Sequence, residues 1–140
     1  MSTTLFEQVG GWPTLQQVHK IFYDKVYAHP WLGKFFAGHD QQVIEDRQTS
    51  FMADKMGSPE SYPGKEIRLV HETMYITPEL FDIREGLLDE ALRESGVADE
   101  LRERWLRIDG AFRNKIVKES EASMYNNDWQ YKKPIIIPKP

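Results

Sequence analysis

An all-α fold is predicted for this chain of 140 residues. Apolar residues recur at helical spacing through five segments, glycine and proline punctuate them, and no alternating strand pattern competes before residue 120. One domain is expected, because a chain of this length buries about two-thirds of its unfolded surface in a single core. The 22 acidic and 18 basic residues are intermixed, with a net charge of −4, so there is no broad cationic footprint for nucleic acid or an acidic membrane. The absence of cysteine removes disulfides, thiolate metal sites, thioether-linked cofactors and cysteine nucleophiles together. The start, MSTTLFEQVGG, lacks a basic region followed by a long apolar run, and no stretch approaches 18 apolar residues. A soluble cytoplasmic protein is the expectation.

The first helix is predicted over about 14–28, with Leu15, Val18, Ile21, Phe22 and Val26 on one side. Gly10 and Gly11 break the chain before it, Pro13 suits its start and Pro30 prevents its continuation. A corner over 29–36 follows, too broken for a long helix yet carrying Trp31, Leu32, Phe35 and Phe36. The next helix, about 40–56, groups Ile44, Gln48, Phe51 and Met52, so one amide lies in an apolar stripe. Turn residues make 57–64 a loop. Beyond a short helix containing His71, Thr77-Pro78-Glu79 supplies an N-cap, a first-position proline and a first-turn acid. That helix should bury Leu80, Ile83, Leu87 and Ala91, and Gly96 should end it. Asp99 is expected to cap a last helix with the stripe Leu101, Trp105, Ile108, Phe112 and Ile116.

The short helix carries the most informative residue. Ile67, Val70, His71 and Met74 follow the i, i+3, i+4, i+7 pattern of a core-facing stripe, so the His71 imidazole points inward. Burying that ring without a partner costs about 2–7 kcal/mol, so it needs a hydrogen bond, a metal or a cofactor iron. By itself an inward histidine is more often bonded to a carbonyl than to a metal. A single inward histidine with aromatics elsewhere suggests haem.

Other residues raise the ligand reading by their order. Phe22-Tyr23, then Phe35-Phe36, Gln48, Gly57, Pro59, Tyr62, Gly64, Leu69-Val70-His71, Ile76-Thr77 and Phe81-Asp82 form a series that resembles the truncated hemoglobins, most of all their first group, the two-over-two globins. The resemblance runs from about Leu5 to Val117, and is most specific from Gly57 to His71 and at Ile76-Thr77 and Phe81. It implies a two-over-two helical sandwich over residues 1–119, with 120–140 as a C-terminal extension, and one non-covalent haem b. His71 matches the histidine that binds the iron, its other ring nitrogen left to donate to a carbonyl. Tyr23 and Gln48 match the distal pair, Phe36 the aromatic wedged against the haem face, and Ile44 the residue over the bound ligand. Phe22, Phe51, Met52, Tyr62, Ile67, Val70, Ile76 and Phe81 match positions around the haem. Arg47 falls where some members place a second iron ligand, His or Lys; here a propionate partner or a solvated charge is expected instead. Ser58 stands where the family often has a second glycine.

Reversible binding of oxygen, nitric oxide or carbon monoxide at ferrous iron is the implied activity. Bound oxygen carries partial negative charge, so a phenol donor from Tyr23 held by the Gln48 amide would stabilise it. That pair suggests conversion of nitric oxide to nitrate, which needs an external reductase. The alternative is a haem-based gas or redox sensor with the tail as output surface. Peroxidase-like activity ranks lower, since no distal histidine or acid is visible in the sequence. A haem-free helical domain, with His71 and Gln48 bonded to backbone, is the structural alternative.

The remaining features have plainer expectations. His19, His29 and His39 lack the i, i+4 pairing of a zinc site and are read as surface residues. Glu85/Asp89 and Glu100/Glu103 are read as solvated helix faces. The tail is too apolar for an ordinary linker, with Met124, Tyr125, Trp129, Tyr131 and Ile135-Ile136-Ile137, yet its prolines prevent a long helix. It is expected either to pack back on the domain, to engage a partner, or to be a terminus without function.

Overall fold

The computed structural model describes residues 4–59, 76–113, 117 and 137–140. The expected His71 helix, with Tyr62, Ile67 and Val70, lies outside them, as do Ile116 and most of the tail. Five α-helices and one 3-10 turn make up the rest: α1 (Leu5–Val9), α2 (Gly11–Ala28), the turn Leu32–Phe36, α3 (Gln41–Lys55), α4 (Pro78–Glu94) and α5 (Asp99–Gly110). The all-α expectation is met; only an isolated parallel bridge, Ile76 to Val117, is extended pairing among the described residues.

Helix α1 has no counterpart in the sequence reading. It is a single turn or so, too short to show a period, and it exists because the Thr4 hydroxyl accepts from the Glu7 amide at 3.2 Å and Leu5, Phe6 and Val9 are buried. Gly10 ends it at φ 111°, a left-handed conformation in which glycine has no Cβ penalty. Helix α2 starts at Gly11, three residues before the expected 14, with Pro13 inside its first turn, where the missing amide hydrogen is not needed. The His29 ring then turns the chain. Its Nδ1 accepts from the Trp31 and Leu32 amides, both at 3.1 Å, which stops α2 and opens the 3-10 turn. At Gly33 the corner comes so close to α2 that an added Cβ would lie 2.6 Å from the Tyr27 carbonyl oxygen.

The local start signals of α3 and α4 behave as expected. Asp40 accepts from the Val43 amide at 3.2 Å, and Thr77 accepts from Leu80 at 3.1 Å with Pro78 at the first position. Gly96, at φ 75°, follows α4 as the stop. One start signal differs: α5 begins at Asp99 itself, with Ala98 as an N-cap that offers no side-chain bond, and Asp99 instead pairs with Arg102 at 2.8 Å.

The core lies where α2 packs on α3 and α4, and α4 on α5. Leu15, Val18, Phe22, Met52, Leu80, Phe81, Leu88, Leu92 and Trp105 are almost fully buried there. Of the predicted stripe on α4, Ile83 and Leu87 are only half-buried, and on α5 only Trp105 is fully enclosed. From the tail, Ile137 is half-buried against the core, its carbonyl accepting from Trp31 Nε1 at 2.7 Å, and Lys139 pairs with Glu79 at 2.6 Å. No helix among the described residues is long and apolar enough to cross a membrane.

Candidate functional site

The site begins on α2. Phe22 and Tyr23 are both buried, with ring centroids 4.7 Å apart, and Tyr23 also meets Phe36 of the corner at 5.9 Å and Tyr27 at 6.5 Å. Burial pushes the Tyr23 phenol well above its ordinary pKa, so it stays protonated and able to donate. Its hydroxyl bonds to no described residue. Phe36 is half-buried, so it adds an apolar edge to this aromatic group.

Helix α3 presents two adjacent stripes where the sequence pattern suggested one. Glu45, Thr49, Met52 and Ala53 are buried in the packed interior, and Gln41 Nε2 donates to Glu45 Oε2 at 2.8 Å. Ile44, Gln48 and Phe51 lie about a residue's rotation away, with Ile44 and Gln48 half-buried. The Gln48 amide bonds to no described residue. Arg47 is exposed and makes no ion pair with a described residue. Phe51 packs on Phe112 at 5.1 Å, and the Lys55 ammonium lies over both rings. Across the fold, Ile76 and Phe81 are buried.

A polar cluster, buried at Asp109 and half-buried at Arg84 and Glu85, packs against these residues. Arg84 of α4 holds Asp109 of α5 through both terminal guanidinium nitrogens, Nη2 to Oδ1 at 2.9 Å, and its Nη1 also reaches Glu85 Oε1 at 2.9 Å. The guanidinium lies 5.3 Å from the Phe22 ring and 5.7 Å from that of Phe81, whose ring is also approached by Arg113 at 5.2 Å. Asp109 is 4% exposed. Desolvation opposes its charge, but Arg84 and a hydrogen bond with Glu85 hold it below the ordinary carboxylate range. Glu85 goes the other way: burial first, then its bond to Asp109, push its pKa up to about 9. Two carboxyl groups beside one cation keep one proton between them. Glu85 is therefore not the solvated helix-face acid expected from the sequence. Asp89 remains a surface partner, of Arg93 and Arg102.

His19 is a second correction. It is 1% exposed, not a surface residue, and its Nδ1 shares a hydrogen bond with Thr49 Oγ1 at 2.8 Å. Its ring meets Trp105 edge-on at 5.9 Å, and its Nε2 has no partner among the described residues. Desolvation lowers its pKa to about 3, so the buried ring is neutral. His29 is half-buried in its capping role, and of the three described histidines only His39 is exposed.

The position of His19 carries a stability prediction. Its folded pKa lies below the ordinary 6.5, so acid protonates the unfolded chain first and pulls it toward unfolding. Its contribution is intact above pH 6.5 and is lost as pH falls from 6.5 through about 3. Urea unfolding at descending pH should show native protein losing up to about 1.4 kcal/mol more per pH unit than His19→Gln. Parallel slopes would remove His19 as the cause.

Signals for the missed residues were present. Position 19 lies four after Leu15 and three before Phe22, on the inward stripe of α2. Position 84 lies four after Leu80 and four before Leu88, and 109 lies four after Trp105. Opposite charges on the inward faces of neighbouring helices mark a pair.

The family model of bacterial-like globins matches residues 4–118. The chain belongs to that family. Within it the truncated hemoglobins are the similar members. The group 1 truncated hemoglobin GlbN of Mycolicibacterium paratuberculosis is 32% identical over 97 residues, covering 69% of this chain and 71% of that protein. That of Tetrahymena pyriformis is 31% identical over 96 residues, covering 69% and 79%. The crystal structure of the Tetrahymena pyriformis protein in its Fe(III) form superposes with a TM-score of 0.77 at 26% identity, covering 84% of this chain and all of that one. The helices of this truncated hemoglobin thus form the two-over-two globin fold. Membership makes haem its cofactor and diatomic gases such as oxygen its ligands. The described residues fit a flat apolar group: α3 keeps the stripe Ile44, Gln48, Phe51 beside its packed face, and Tyr23 and Gln48 retain polar atoms that bond to no described residue.

Proposed function

We propose that this truncated hemoglobin holds one haem b with His71 as its iron ligand, and that it converts nitric oxide to nitrate in the cytoplasm with an external reductase. The observation that carries the distal half of this reading is the Tyr23 hydroxyl, kept protonated by burial and bonded to no described residue. Haem held there would supply the ferrous iron for gas binding and the one-electron redox change that an external reductase would have to reverse. The protein's part is to position and shield. The Tyr23 hydroxyl would donate to a ligand that gains negative charge on binding, and Gln48 would add an amide donor. Ile44 cannot hydrogen-bond, so the donor load falls on those two. Phe22, Phe36, Phe51, Met52, Tyr62, Ile67, Val70, Ile76 and Phe81 supply the apolar wall that excludes water, and Arg47 serves a propionate at the rim.

The test is nitric oxide consumption by the oxygenated protein, with and without an added flavin-type reductase. Rapid nitrate formation that recurs only with reductant is expected. Reaction no faster than that of free haem would overturn this activity. A sensing role is favoured by one contact: the Trp31 bond to the Ile137 carbonyl ties the C-terminal end to the corner that carries Phe36. A partner that binds in only one ligation state would establish it.

A further inference from the structure

We propose that Arg84 is a specificity-determining residue, a half-buried cation packed behind Phe22 of the distal pocket that selects ligands bearing negative charge when bound, oxygen above all, over neutral carbon monoxide. This rests on the haem-binding reading and on Tyr23 as the distal donor, and extends both.

Position 84 is on the inward stripe of α4, yet it holds a guanidinium. That group lies over the Phe22 ring at 5.3 Å, and Phe22 is itself in edge contact with Tyr23 at 4.7 Å. The Arg84 side chain is 18% exposed and that of Asp109 4%, so little water screens either charge. Together with protonated Glu85 the cluster is close to neutral, which makes an arginine tolerable there. Its dipole is not symmetric. Arg84 is the end packed on Phe22, whereas Asp109 is held from α5. The field at the Tyr23 phenol follows that order: after desolvation, the lowering effect of Arg84 exceeds the raising effect of Asp109. Asp109, Tyr27 and Glu45 act on the phenol with the opposite sign, so the part that Arg84 plays is to make the potential at the distal donor more positive than those groups alone would leave it, through Phe22 and without a hydrogen bond to the ligand. A ligand that draws electron density from iron gains from this field; one that stays neutral gains little. Nothing in the field distinguishes ligands by size, so discrimination is by charge alone.

The test uses haem-loaded protein carrying Arg84→Met, with Arg84→Lys as the charge-keeping variant and the double variant Arg84→Met/Asp109→Leu, which removes both charges and leaves no orphan. Oxygen release should become about tenfold faster in Arg84→Met and in the double variant, with carbon monoxide release unchanged and Arg84→Lys close to native. The carbon–oxygen stretch of the carbon monoxide complex reads the field directly. A positive potential draws electrons into the antibonding orbital and lowers that frequency, so it should rise when Arg84 is removed and stay low in Arg84→Lys. Oxygen and carbon monoxide rates changing by the same factor, or a stretch indifferent to Arg84, would overturn the proposal while leaving the haem reading intact. Failure of native protein to form a carbon monoxide complex would overturn the haem reading, and this proposal with it.

Discussion

Asp109→Ala should lower the unfolding free energy by up to about 3–5 kcal/mol, because it leaves the half-buried Arg84 guanidinium without its main counter-charge. The pair joins α4 to α5 through two parallel hydrogen bonds in a region where Asp109 is 4% exposed. Glu85 compensates only so far as it gives up its proton, which in the variant is held by burial alone, since the bond to Asp109 that also raises its pKa is lost with the substitution. The expected loss is the penalty of an orphaned charge, not the net value of the pair. Arg84→Met/Asp109→Leu, which removes both charges, should therefore be far closer to native. Urea midpoints of the native, single and double variants decide it. A double variant as unstable as Asp109→Ala would mean that the pair itself, not the orphan, supplies the stability.

Tyr23→Phe is expected to speed oxygen release about 10- to 100-fold, the effect of losing one hydrogen bond to a charged acceptor. The substitution keeps the ring and so keeps the contacts with Phe22 and Phe36. Carbon monoxide release should change much less, since its bound oxygen carries little charge. Stopped-flow dissociation of both ligands makes the comparison internal. Equal oxygen rates in native and variant protein would take Tyr23 out of ligand stabilisation and leave the load on Gln48.

Much of the fold was legible because its signals are local. Asp40, Thr77-Pro78 and Gly96 act on their own helix ends, and a cap works the same way wherever the helix packs. The facing of α3 was not local. Glu45 and Thr49 look like solvent residues in a pattern that sorts apolar from polar, yet both are buried, because Gln41 meets one and His19 the other. The stripe read from the pattern, Ile44, Gln48, Phe51 and Met52, divides: Met52 belongs to the packed face, whereas Ile44, Gln48 and Phe51 lie beside it. His19, Arg84 and Asp109 escaped for the same physical reason: each is acceptable inside only because a partner from another helix meets it. Tyr23 and Gln48 were expected from family order and spacing alone, and their surroundings, a buried phenol and a half-buried amide that bond to no described residue, suit the distal role proposed for them.

The most direct test of the account is titration of native protein and His71→Ala with hemin, followed by absorption spectra in the ferric and dithionite-reduced states. Native protein should saturate at one haem per chain and show a sharp ferrous histidine-ligated spectrum that gives a stable oxygen complex, and His71→Ala should lose that spectrum. Weak, unsaturable binding that is the same with and without His71 would contradict it.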